Sequence, residues 1–230
     1  MSEVDDVSAH YRGDRGAAYV QQRQSEADHA GYAVDAGFFS PHIRSTDSVL
    51  DFGCGNGGML PHFKRVSAVV QGIEVNDAAR AIALGRGFSV HAGLDHLPAD
   101  ARFDVVVTNH VLEHVPNVVD VLRAIRRHIA PGGKLVAKLP IDDIRSKHQL
   151  SWSREDVDHH LQTWTPRLFA NVLYEAGFEV SDIAVVTSAW HPRLFPLIKT
   201  GLHRPAFWAL AVLKNRRQLL AVATNPSEPA

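Results

Sequence analysis

At 230 residues, with 45% hydrophobic and 21% charged side chains, the chain can bury a sizeable core and has the composition of a globular α/β protein, so one domain over 1–230 is the default. A formal net charge of -1 excludes a global basic field, and nucleic acid is not expected as a partner. The single cysteine, Cys54, excludes an internal disulfide and suits a reducing, cytoplasmic compartment.

The N-terminus, MSEVDDVSAHYRGDRG, is polar and acidic and lacks the apolar segment of a signal peptide. Helices are expected over Val4 to Arg23 and Gly31 to Ile43, with Pro41 near the end of the second; together they form a helical cap over 1–45. The first strand begins at Ser48 and ends at an acid, Asp51, in the stretch VLDFGCGNG. A strand turning through Gly53, Gly55 and Gly57 lets backbone approach a ligand where a Cβ would collide. The Asp51 carboxylate faces the same crevice, so the site suits a nucleotide-like ligand that carries a cation. Gly53, Gly55 and Gly58 also satisfy the dinucleotide spacing, which keeps an NAD-dependent oxidoreductase in view. A second apolar run, Val69 to Ile73, ends at Glu74, where a ribose-binding acid is expected.

Further along, Asp77 to Arg86 reads as a helix, AGLDHLP as a turn after the third strand, and FDVVVTN (Phe103 to Asn109) as the fourth strand. An amphipathic helix over Val118 to Ile129, the stretch PGGKLVAKLP (Pro131 to Pro140) and a helix over Pro166 to Ala176 follow. Strands are expected at Phe178 to Thr187 and Gln218 to Ala223, separated by an insertion, Trp190 to Arg217, that is rich in Pro, Trp, Phe and Leu. The polar, proline-containing tail over 225–230 reads as unstructured. Alternating strands and helices imply βαβ units and a largely parallel sheet. Right-handed crossovers then bring the strand C-terminal ends, with Asp51, Glu74 and Asn109, to one edge.

The order of VLDFGCGNG, QGIEVN, FDVVVTN, VLEHVPN, PGGKLVAKLP and AGFEV resembles the class I SAM-dependent methyltransferase family, over about Thr46 to Val180. The likeness is strongest to the bacterial branch with EHV after the fourth strand. It implies a Rossmann-like fold: a seven-stranded, mostly parallel sheet with an antiparallel last strand and helices on both faces. The SAM-binding core would span 46–189, the insertion over 190–217 would form a substrate lid, and 218–224 would be the last strand. S-adenosylmethionine is the implied cofactor and S-adenosylhomocysteine its product. In this resemblance the turn Gly53, Cys54 and Gly55 approaches the methionine part, Asp51 faces its ammonium, and Glu74 with Val75 holds the ribose. Leu94 stands where the family places its adenine-binding acid, so Leu94 is expected on the adenine face and Asp95 at its amino edge. Asn109 would touch the methionine part and the reacting centre, while Tyr19 and Arg23 would close over the cofactor.

Methyl transfer to a hydroxyl needs alignment, exclusion of water and removal of a proton, and histidine suits the last task. His114, inside EHV, is the first candidate, followed by His160, His159 and His110. His110, Glu113 and His114 also spell H-x-x-E-H, the order of inverted zinc peptidases, which requires a helix. Related methyltransferases hold a divalent ion with an acid and the EH pair. Here His110 replaces that acid, which argues against magnesium and leaves a transition metal or no metal.

Asp142, Asp143, Asp158 and Trp152 or Trp164 would suit a sugar, and the resemblance of the surrounding loop implies O-methylation of a glycan or glycosylated metabolite. A quinone or phenolic acceptor is the alternative. A non-catalytic SAM-binding subunit is a further reading. No apolar run is long enough to span a bilayer, but the insertion with Lys214, Arg216 and Arg217 has the pattern of a peripheral membrane contact. A monomer or homodimer is expected.

Overall fold

The β-branched runs form seven strands in a computed structural model that describes residues 9–13, 16, 18, 29–141, 151–154, 156, 158–187, 189, 194, 196–197, 200, 202–214 and 216–227. They are β1 (Ser48–Phe52), β2 (Val69–Ile73), β3 (Ser89–His91), β4 (Phe103–Asn109), β5 (Ile129–Pro140), β6 (Glu179–Thr187) and β7 (Arg217–Thr224). Their order in the sheet is β3-β2-β1-β4-β5-β7-β6. Every neighbouring pair is parallel except those made by β7, which runs antiparallel to both β5 and β6. This is the mostly parallel sheet with an antiparallel last strand expected from the sequence. The order reverses at β1 and β4, and ligands of open α/β sheets bind beside such a reversal, at the strand C-terminal ends.

Six α-helices are described: α1 (His29–Phe39), α2 (Leu60–Lys64), α3 (Asp77–Gly85), α4 (Val118–Arg127), α5 (Pro166–Glu175) and α6 (His203–Leu213). The starts of α3 and α5 are written in their caps. Asn76 Oδ1 accepts from Ala79 N at 3.0 Å, and Thr165 Oγ1 accepts from Leu168 N at 3.2 Å ahead of Pro166. The expected helix over Gly31 to Ile43 starts earlier and stops at Phe39, because Pro41 lacks an N–H and disfavours helical backbone at Ser40; a 3-10 turn, Ser40–His42, follows. Of the helix expected over Val4 to Arg23, the described residues show a 3-10 turn, Ala9–Tyr11, and α-helix at Gly13, Gly16 and Ala18; most of the stretch, including Tyr19 and Arg23, lies outside the described residues.

Alternation along the strands builds two cores. Leu50, Phe52 and Val106 face one side with Leu122 and Ile125 of α4 and Phe169 and Leu173 of α5. Val49, Val105, Val107 and Val136 face the other with Phe39 of α1, Phe63 of α2 and Ala83 of α3. Each such side chain contributes about 1.5–3 kcal/mol by leaving water. Trp164 belongs to the first core, 4% exposed and edge-on to Phe169 with ring centroids 5.1 Å apart, so the sugar-stacking role expected for it is replaced by packing. Asp142 and Asp143 lie outside the described residues.

Helix α1 is fastened over the glycine turn at two points. Tyr32 lies where a Cβ on Gly58 would come within 2.2 Å of its ring, and its hydroxyl donates to Asn56 Oδ1 at 3.0 Å. Lys138 of β5, 1% exposed, donates through Nζ to Asp35 Oδ1 at 2.6 Å. Among the described residues, no helix is long and apolar enough to cross a membrane.

Candidate active site

Asp51, Glu74 and Asn109 end or follow the adjacent strands β1, β2 and β4, so they share the edge where the sheet order reverses. Asp51 is fully buried, and neither carboxylate oxygen has a hydrogen-bond partner among the described residues. Burial, reinforced by the Glu74 charge, pushes its pKa up to about 8. A buried carboxylate without partners is costly unless a cation joins it.

The glycine turn is held from below. Gly53 N and Cys54 N both donate to Ile73 O at 2.9 Å, and Gly55 N donates to Glu74 Oε2 at 2.8 Å. Gly53, Gly55 and Gly57 all have positive φ, and the Cβ direction of Gly55 opens onto free space, which leaves room for a ligand. Cys54 turns its thiol under the loop, where it would meet a Cβ on Gly72 at 2.5 Å, and burial pushes the thiol pKa up; it is a small buried filler. Glu74 also accepts from Asn76 N at 2.7 Å. Burial raises its pKa, while these backbone donors oppose the shift. Its two oxygens offer about four acceptor sites, more than these backbone donors occupy.

The remaining cofactor candidates are less alike. Val75 is half-buried beside Glu74, and Asn109 Oδ1 accepts from Lys138 Nζ at 3.4 Å. Leu94 is buried in the first core. The Asp95 side chain is 79% exposed and pairs with His96 at 2.9 Å, turned to solvent rather than toward a buried adenine edge.

Beyond Asn109 lies a histidine cluster. His110 and His159 are the non-glycine residues of positive φ among those described, at 55° and 43°; left-handed backbone away from glycine concentrates at functional sites. Glu113 is fully buried with neither oxygen hydrogen-bonded among the described residues; its Oε1 lies 3.4 Å from His110 Nδ1 and 3.8 Å from His114 Nε2. Burial acts to raise the Glu113 pKa, yet these histidines outweigh it and hold the value below normal. Burial lowers the His114 pKa to about 4, against the pull of Glu113. The His160 ring lies 5.0 Å from that of His114. Donor atoms of Glu113, His114 and His160 lie within 4.8 Å of one another. His110 follows a strand and Leu112–His114 is a 3-10 turn, so H-x-x-E-H lacks the helix a peptidase needs.

Sequence reasoning passed over Tyr11. Its hydroxyl donates to Asp158 O at 2.5 Å and lies 2.9 Å from His114 Nδ1, while its carbonyl accepts from Asn76 Nδ2 at 3.1 Å. With the hydroxyl proton given to Asp158, the oxygen is an acceptor for a protonated ring nitrogen of His114. His10, its neighbour, stacks on His159 with centroids 4.6 Å apart. A tyrosine in a polar N-terminal stretch, far along the chain from the glycine turn, carries no local signal of this role.

Such a sheet, with a partnerless buried acid near the end of β1, an acid directly after β2 and a histidine cluster after β4, is that of a class I SAM-dependent methyltransferase. The chain belongs to the family described as a methyltransferase domain, whose pattern matches residues 24–183. It is 33% identical over 97 residues to a ubiquinone biosynthesis O-methyltransferase of Pseudomonas paraeruginosa, a match spanning 38% of this chain and 42% of that relative. A protein of the same name from Idiomarina loihiensis is 27% identical over 180 residues, 69% of this chain and 72% of the relative. Geranyl diphosphate C-methyltransferase from Streptomyces coelicolor, solved with Mg2+, geranyl diphosphate and S-adenosyl-L-homocysteine, superposes with a TM-score of 0.61 at 19% identity, covering 86% of this chain and 80% of that one.

Proposed function

We propose that the protein O-methylates an acidic hydroxyl, on a phenolic or quinone-type ring, with His114 as the base. S-adenosylmethionine, when bound, supplies a methyl group on a sulfonium. Its ammonium would sit against the orphaned Asp51 carboxylate, and its ribose hydroxyls against the free acceptor sites of Glu74. The observation that carries the choice of acceptor is the state of His114. A base held near 4 is neutral at pH 7 and has a lone pair to offer, but it is weak. It takes a proton from a phenol, of pKa about 10, far more readily than from a sugar hydroxyl, which is much less acidic. Glu113 beside it stabilises the imidazolium that forms. The ubiquinone O-methyltransferase relatives support the same acceptor class better than the glycan expected from the loop.

The experiment is a methyl-transfer assay with a panel of dihydroxyphenols and hexose glycosides, read by mass spectrometry. Methylated phenols are expected; methylated glycosides without phenol products would overturn the reading.

The mutual approach of Glu113, His114 and His160 favours a second reading, in which these residues hold a divalent transition metal that acidifies the acceptor hydroxyl. Both oxygens of Glu113 are orphaned and the donor set is one carboxylate with two imidazoles, which fits zinc or manganese better than magnesium. Activity that survives exhaustive dialysis against a chelator, with no calorimetric uptake of Zn2+ or Mn2+, would reject it.

A further inference from the structure

Within α6 every exposed residue whose burial is described is apolar. At helical spacing Pro205, Trp208, Ala209, Val212 and Leu213 share one side, and all are exposed, Trp208 at 61% and Leu213 at 85%. Phe207 and Ala211 on the opposite side are buried, so the helix already has its core contact and presents a second apolar stripe to the outside. Leu202, one position ahead of the helix and 59% exposed, extends the patch. Contiguous apolar surface of this kind marks an interaction face.

Charge says what the face meets. Residues 188–224 contain Arg193, Lys199, Arg204, Lys214, Arg216 and Arg217 but no aspartate or glutamate, in a chain whose formal charge is -1. Lys214, Arg216 and Arg217 are exposed and follow directly on the apolar side. A second copy of this chain docked on the same face would set these cations against their own images. An anionic bilayer supplies the countercharge and takes up the apolar side chains at once.

We propose that α6 is an interfacial helix that docks the protein on an anionic phospholipid surface, with Trp208, Val212 and Leu213 in the headgroup boundary and Lys214, Arg216 and Arg217 at the phosphates. The docking stands independently of the acceptor and of the catalytic base. It would hold the enzyme beside any acceptor that resides in the membrane.

The test is co-sedimentation of the full chain with vesicles of phosphatidylcholine alone and of phosphatidylcholine with phosphatidylglycerol. Binding is expected to the mixed vesicles, weakening with salt, and Lys214→Glu or Arg216→Glu should each reduce the partition coefficient at least about fivefold. The double variant Trp208→Ser, Leu213→Ser should lose most of the binding while keeping its affinity for S-adenosylhomocysteine, which shows that it is folded. Trp208→Phe should abolish a blue shift of tryptophan emission on mixed vesicles. No sedimentation of the parent protein, or equal sedimentation of the double variant, would overturn the proposal. So would a parent dimer that the double variant dissociates, which would give the face to a second copy.

Discussion

S-Adenosylhomocysteine binding at pH 7 should release close to one proton per site, with Asp51 as the source. Its carboxyl is fully buried without a partner among the described residues, and its pKa is pushed up to about 8. A group of that pKa holds about 0.9 proton at pH 7. A ligand ammonium placed beside it favours the ionised form, and a return to an ordinary carboxylate value frees nearly all of that proton. Calorimetric titration in two buffers of equal pH but different ionisation enthalpy counts the release. Because Asp51 interacts with Glu74, the count belongs to the pair. The release should fade above pH 8, where Asp51 is already ionised. It should also fade toward pH 4, where it stays protonated. The same shift acts on folding. The native pKa lies above the unfolded value of about 3.9, so the contribution is full below that value and is lost as pH rises through 8; about four units amount to ~5 kcal/mol at most. Asp51→Asn should therefore melt higher than the parent at pH 9 when unliganded, match it below about pH 4, and bind weakly without proton release. A zero count at pH 7, or the same count in Asp51→Asn, would refute the reasoning.

Replacing Glu74 by Gln keeps a carbonyl for one backbone donor but loses the charged acceptor, and S-adenosylhomocysteine affinity should fall by about tenfold to a hundredfold, read by calorimetry. His114→Gln should leave that affinity unchanged and lower kcat by roughly a hundredfold. In the parent the acidic limb of kcat/KM should fall near pH 4 rather than at the ordinary histidine value. Lys138→Met removes the 2.6 Å ion pair that ties Asp35 of α1 to β5 and should cost about 3 kcal/mol by denaturant titration, with Asp35→Asn on the same background restoring part of it. Gly53→Ala combines a positive φ of 79° with a Cβ 2.3 Å from Val111 Cγ2, and should yield little folded protein by circular dichroism.

Much of the fold was legible because its signals are local. The apolar run ending at Asp51 and the glycines after it describe a strand and a ligand turn within ten residues, and β4, α4 and β5 follow the same period rules. The acids Asp51 and Glu74 were legible too, since parallel crossovers bring strand ends to one edge whatever lies between. The companionship of His114 with His160 and Tyr11 was not. Those contacts span 46 and 103 positions and depend on how loops lie over the sheet edge, which no periodicity encodes. Lys138 reads as an ordinary strand residue, and only the docking of α1 makes it a buried ion. The direction of Trp164 likewise depended on the start of α5, which turned a residue suited to ring stacking into core. The 3-10 turn Leu94–His96 puts Leu94 in the core and the Asp95 side chain at the surface, an arrangement that no periodicity of the sequence encodes.

Among the described strands β6 has a single neighbour, β7, and β7 is synthesised after both strands it joins. Until residues 217–224 emerge, β5 presents a bare edge and β6 has no ladder to join, so the growing chain holds an incomplete sheet while the segment over 188–216 is made. Closure of the last two strands is then one event, made by a strand that inserts between two others instead of adding at the rim. Pairing of β7 with β5 joins positions far apart in the chain, a kind of contact that forms slowly because the intervening chain must close first. A chain cut just before Arg217 would lose two strands, although only one had been removed.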